Sequence, residues 1–157
     1  MKRLILMRHG QAENIFENDF DRNLTTFGKK EVAIQSEMLR SNMFIPDKII
    51  VSPARRTKQT AEILINTLNI KPEIEYADFL YNSYTTGEFV DFLSGQNNNY
   101  QTIMLVAHNP EITQRLQVFS QNISLFFNTA GIAVFEFDTD KWSEIENKQA
   151  LLRLFKN

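Results

Sequence analysis

Cysteine is absent from the 157 residues, so the chain offers no disulfide framework, no thiolate nucleophile and no thiolate metal site. Histidine occurs twice, at His9 and His108, and no His-x-x-x-His pair exists. A metal centre would have to be gathered from scattered carboxylates, and none is expected. No stretch approaches the roughly 20 apolar residues that a membrane helix requires. The apolar run at 4–7 is too short for the core of a secretory leader and stops at Arg8. A cytoplasmic protein with no membrane partner is therefore expected. Basic tracts are also missing: 17 Lys and Arg stand against 19 Asp and Glu, which argues against nucleic acid as a partner. Neither a Gly-rich Walker loop nor a Gly-x-Ser-x-Gly elbow is present, so P-loop nucleotide chemistry and serine hydrolysis lack their usual carriers.

What is present is ample core material. The hydrophobic fraction is 43% with 13 Phe, enough for one domain over 1–157 to fold without staples. Continuous apolar runs at 4–7, 49–51 and 103–107 suit strands buried on both faces of a mainly parallel sheet. Helical patterns lie between them. Thr25 or Thr26 can cap a helix carrying Val32, Ser36, Leu39 and Met43 on one face, closed by Pro46-Asp47. Ala61, Leu64, Ile65 and Leu68 mark a second inner face; Phe89, Phe92 and Leu93 mark a third, after Thr85-Thr86-Gly87. Pro110 suits the first position of a fourth helix, with Ile112, Leu116 and Phe119 inward. Late strands are expected over 131–137, 142–145 and 151–155, at the sheet edge. This alternation predicts an α/β layered fold with helices on both faces, its ligands at the carboxyl ends of parallel strands.

Chemistry-bearing residues sit where those strands end. Arg8-His9-Gly10 follows the first run. A neutral imidazole can attack phosphorus and hold the phosphoryl group covalently, an arginine fork matches phosphate oxygens, and glycine lets the backbone come close. Ser52-Pro53-Ala54-Arg55-Arg56 opens a helix after the second run. Basic side chains there oppose the helix dipole and call for an anion as compensation. Val106-Ala107-His108-Asn109-Pro110 ends the third run with the other histidine. Each segment alone also reads as an ordinary strand-end turn or a solvated first helical turn.

Together with Leu24-Thr25-Thr26-Phe27-Gly28, Gln59-Thr60-Ala61 and Thr129-Ala130-Gly131-Ile132-Ala133, these motifs resemble the histidine phosphatase superfamily over essentially the whole chain. The resemblance is strongest to the short SixA-type phosphohistidine phosphatases. It implies a phosphoglycerate mutase-like three-layer sandwich, with a mainly parallel central sheet flanked by helices, and a hydrolase that needs no cofactor. It further implies His9 as phosphoryl acceptor, Arg8 and Arg56 as phosphate-binding arginines, and His108 as the second histidine of the pocket. Asn14 and Asn109 are carried over as substrate-binding candidates, and Arg55 as a surface neighbour.

Many members of that superfamily hold an acidic proton donor in a loop that aligns with Leu80-Tyr81-Asn82-Ser83, where this chain has no carboxylate. Losing such an acid costs an alkyl phosphate ester roughly 10²–10⁴-fold. A phosphohistidine loses less, because its imidazole leaving group takes a proton from solvent. Phosphohistidine on a protein is thus the expected substrate, admitted by an open site in so short a chain. A small phosphorylated metabolite is the alternative, as is a non-catalytic phosphate-binding module. Asp78 and Glu88 are the nearby carboxylates available to replace the missing acid.

Overall fold

The computed structural model describes residues 1–15 and 17–157. Six strands, β1 (Lys2–Arg8), β2 (Lys48–Val51), β3 (Glu73–Tyr76), β4 (Thr102–Ala107), β5 (Ile132–Phe137) and β6 (Leu151–Lys156), form one sheet in the order β3-β2-β4-β1-β5-β6. The β3-β2-β4-β1 block is parallel, and β5 and β6 are added antiparallel. The continuous apolar runs became β1, β2 and β4 because strands covered on both faces have no polar side to alternate with.

Four helices cover the sheet: α1 (Thr26–Ser41), α2 (Arg55–Leu68), α3 (Thr86–Ser94) and α4 (Glu111–Ser120). Successive strand residues point to opposite faces, and they divide the core accordingly. Ile5, Met7, Ile49, Val51, Met104 and Val106 meet Val32 and Leu39 of α1 and Ala61, Leu64 and Leu68 of α2. Leu4, Leu6, Ile50, Ile103 and Leu105 meet Phe89 and Leu93 of α3 and Ile112 and Leu116 of α4. The result is the three-layer α/β sandwich expected.

Local chemistry sets the helix ends. The Thr25 side chain accepts from the Gly28 amide, and Thr85 and Glu88 form a reciprocal capping box at α3. Four details differ from the sequence reading. Met43 lies beyond the end of α1, at Ser41, with φ of 58° and 76% exposure. Pro110 precedes α4 as its cap residue, after a cis Asn109-Pro110 bond. Trp142–Asn147 is a 3-10 helix, which buries Trp142 and Ile145 one turn apart where a strand was expected. β3 was unforeseen, because its Glu-Ile-Glu-Tyr is an exposed edge strand with little apolar signal.

Register brings the strand ends together. Arg8 pairs level with Ala107, and Val51 with Val106, so β1, β4 and β2 stop at one edge. Their next residues are His9, His108 and Ser52.

Candidate active site

His9 is 7% exposed, and its backbone is pinned on both sides: its amide donates to Ala107 O at 3.1 Å and its carbonyl accepts from Ala130 N at 2.9 Å. Ala130 holds φ at 58° to make that bond. The Gly10 amide donates to Thr60 Oγ1 at 3.1 Å, and Thr60 Oγ1 donates to Arg56 O at 2.8 Å, tying the residue after His9 to α2. Gln59 Oε1 accepts from Leu24 N, fastening the approach to α1. Gly10 and Gly28 allow the two chain segments to touch: a Cβ at Gly28 would lie 2.1 Å from Gln11 O, and one at Gly10 would lie 2.7 Å from Gly28 O. The motifs that seemed separate in the sequence are the walls of one site.

The His9 ring is oriented by its own neighbour. Nδ1 lies 2.7 Å from the Gly10 carbonyl, which can only accept, so Nδ1 carries the ring proton and Nε2 keeps its lone pair. Arg56 Nε donates to that Nε2 at 3.4 Å. Burial, followed by the charges of His108, Arg56 and Arg8, pushes the His9 pKa down to about 3 against the carbonyl's opposing pull, so the ring is neutral at ordinary pH. The His108 ring stands 5.2 Å away, centre to centre, and is 8% exposed. Its Nε2 is 2.6 Å from Ser52 Oγ, and its Nδ1 is buried without a partner among the described residues. Burial and the Arg56 charge lower its pKa to about 4.

The two arginines are placed differently. Arg56 is 6% exposed, and each of its three guanidinium nitrogens has a partner: Nε on His9, Nη1 on Asp19 O at 2.7 Å, Nη2 on Asp19 Oδ2 at 3.2 Å. Arg55 is exposed and faces Asp21 at 3.9 Å. Arg8 donates from Nη1 to Phe127 O at 3.1 Å, its Nε is buried without a partner among the described residues, and its charge acts on both histidines. The structure thus brings Arg8, His9, Arg56 and His108 together. Asn109 is spent internally, donating to Phe127 O and accepting from Thr113 Oγ1. Asn14 lies on the exposed stretch before Asp19, in a shallow depression with Glu13 and Ile15.

Asp19 is the residue that sequence reasoning missed. It lies in a 3-10 helix, Asp19–Asp21, within an irregular segment that carries no periodic signal. Its Oδ2 also accepts from Tyr81 at 2.7 Å, and its Oδ1 meets Arg22 at 3.1 Å. Hydrogen bonds from Tyr81 and Arg22, with the Arg56 charge, hold its pKa at about 2 against burial, which would raise it. Tyr81 occupies the loop where an acid was sought, its ring edge-on to His108 at 5.7 Å. Asn82 points away, to Asp78 O. Asp78 is exposed, and Glu88 is committed to the α3 cap. Asp19 and Tyr81 thus stand beside Arg56 and His108. Among the described residues no cluster of three or more His, Asp or Glu could hold a metal ion.

Two neutral imidazoles and two arginines lie near one another at the carboxyl ends of the parallel strands, an arrangement whose charge and unprotonated ring nitrogen suit an anionic, electrophilic group. The chain is similar to the histidine phosphatase superfamily: the model of that superfamily's branch 1 matches residues 4–78, and the relatives support a phosphatase. A phosphohistidine phosphatase SixA homolog of Haemophilus influenzae is 25% identical, with 94% of each chain covered. The crystal structure of the putative phosphohistidine phosphatase SixA from Agrobacterium tumefaciens superposes with a TM-score of 0.84 at 27% identity, covering 99% of this chain and 97% of the other. The structure of the protein histidine phosphatase SixA complexed with tungstate shares the fold, with a TM-score of 0.84 at 22% identity, covering 98% and 95%.

Proposed function

We propose that this chain is a cytoplasmic, single-domain phosphohistidine phosphatase that acts on a protein and passes the phosphoryl group through His9. In the first step the Nε2 lone pair attacks phosphorus, the P–N bond to the substrate imidazole breaks, and that imidazole takes a proton from solvent. In the second, water attacks phosphorus, the P–Nε2 bond breaks, and inorganic phosphate leaves with His9 neutral again. Arg8 and Arg56 hold the phosphoryl oxygens, and their charge stabilises the transition state. Ser52 Oγ and His108 Nε2 share a hydrogen bond at 2.6 Å; with the hydroxyl as donor in that bond, the His108 proton stands on the unpartnered Nδ1, for a phosphoryl oxygen.

One observation carries the choice of substrate. Asp19, the carboxylate paired with Arg56 among the described residues, is held ionised by Tyr81, Arg22 and Arg56 and has no proton to give. A leaving group that protonates from water suits such a site; an alkoxide does not. The test compares turnover of a phosphohistidine-bearing protein with that of simple sugar phosphates, using His9→Ala as control. We expect preference for the protein and loss of activity in the variant. Faster turnover of sugar phosphates would replace this reading with a small-molecule phosphomonoesterase, and an active H9A would remove His9 as acceptor.

A further inference from the structure

The arginines that open α2 call for an anion, and the protein supplies one from its own chain. Ala54 caps α2 without a side-chain bond, and Asp19 and Asp21 face Arg56 and Arg55 instead. We propose that Asp19 is a built-in occupant of the phosphoryl seat: it holds Arg56 in the free protein and must be displaced by the substrate's phosphoryl group. This rests on the reading of Arg56 as a phosphate ligand.

Charge and geometry both require the exchange. Arg56 gives Nη1 to the main-chain carbonyl of Asp19, Nη2 to its carboxylate and Nε to the lone pair of His9 Nε2, so the Nη2 bond is the one a departing carboxylate frees. A phosphoryl group approaching Nε2 must break the Arg56–His9 contact, and a dianion beside the Asp19 carboxylate is repelled by it. One movement answers both: Arg56 turns to the incoming oxygens and Asp19 lets go. Asp19 has somewhere to go, since its side chain is 44% exposed and its other oxygen is held by Arg22. Tyr81, bonded to Asp19 and edge-on to His108, links the displacement to the second histidine.

The consequence is selectivity. A bare oxyanion, including the product phosphate, gains Arg56 only by giving up the Asp19–Arg56 pair, so it binds weakly. A phosphorylated protein brings further contacts that offset the exchange. Asp19 therefore acts as a specificity-determining residue that limits occupancy by free phosphate.

The test is calorimetric titration of inorganic phosphate into the unaltered protein, Asp19→Asn and Tyr81→Phe at pH 7 and fixed ionic strength. The D19N change keeps the size of the side chain and removes its charge. We expect D19N to bind phosphate at least about fivefold more tightly, within the range of ordinary coupling between sites. Y81F, which loosens one bond to Asp19, is expected to shift in the same direction by less. Equal or weaker phosphate binding by D19N would overturn the inference and leave Asp19 as a support that orients Arg56. Binding is read without turnover, so failure here is separate from failure of the phosphohistidine assignment, which activity alone decides.

Discussion

Ser52 Oγ lies 2.6 Å from Nε2 of His108, joining the residue after β2 to the residue after β4. Ser52 is fully buried, so the bond is shielded from water. Replacing Ser52 with Ala removes the hydrogen-bond partner of His108 Nε2, which orients the ring. A hydrogen bond of about 1 to 1.5 kcal/mol corresponds to a fall of about five- to tenfold. We expect kcat/KM of S52A to drop by that amount while the fold is retained, as steady-state kinetics beside a thermal melt will show. Unchanged kinetics would reduce Ser52 to a space filler.

Gly28 matters for a different reason. A Cβ there would meet Gln11 O at 2.1 Å and Gln11 N at 2.8 Å, backbone atoms that cannot step aside alone. Overpacking of this kind costs about 1–3 kcal/mol. G28A should therefore melt lower, by about 2–4 °C per kcal/mol for a chain of this size. It should also lose activity, since α1 and the loop after His9 separate together. A melting temperature equal to that of the parent would contradict the close approach.

The sequence made the site's core legible because its residues follow strands that announce themselves. Runs such as 4–7 and 103–107 are too continuous to be anything but buried elements, and His9 and His108 come next in the chain. Arg56 was separable from Arg55 only through family spacing; the structure shows Arg56 buried against Asp19 and Arg55 exposed. Asp19 was invisible for a physical reason. It lies ten positions from His9 in chain with no periodicity, and only its three-way contact with Arg56, Arg22 and Tyr81 gives it meaning. Residues 142–145 misled because Trp and Ile three apart fit a 3-10 turn as well as a short strand.

Asn109 allows the internal and substrate-facing roles to be separated. Its amide donates to Phe127 O at 3.0 Å and accepts from Thr113 at 2.7 Å, and Arg8 donates to the same Phe127 carbonyl. N109A should thus lower stability by about 0.5–1.5 kcal/mol, the net worth of a lost hydrogen bond, since Arg8 still donates to the Phe127 carbonyl. KM should move by less than about threefold if no substrate bond is lost. Chemical denaturation and kinetics on one preparation decide it, and a large rise in KM with unchanged stability would return Asn109 to the substrate.

The two buried imidazoles impose an acid limit. His9 and His108 have pKa values pushed down to about 3 and 4 by burial and by the arginines beside them, whereas an unfolded histidine titrates near 6.5. Between those values the unfolded chain binds more protons than the folded one, so stability is full above about pH 6.5 and falls as pH drops toward 4 and then 3. Asp19 adds a loss lower down, from its ordinary value of 3.8 toward about 2, as its carboxylate protonates and its charge pairing with Arg56 Nη2 is lost. With only two histidines in the chain, the ring resonances are few enough to follow by NMR. Neither should titrate near 6.5 in the folded protein, and the urea midpoint should be lower at pH 5 than at pH 7. An inflection near 6.5 would mean that a ring is solvated and charged at neutral pH, and a protonated Nε2 on His9 has no lone pair with which to attack phosphorus.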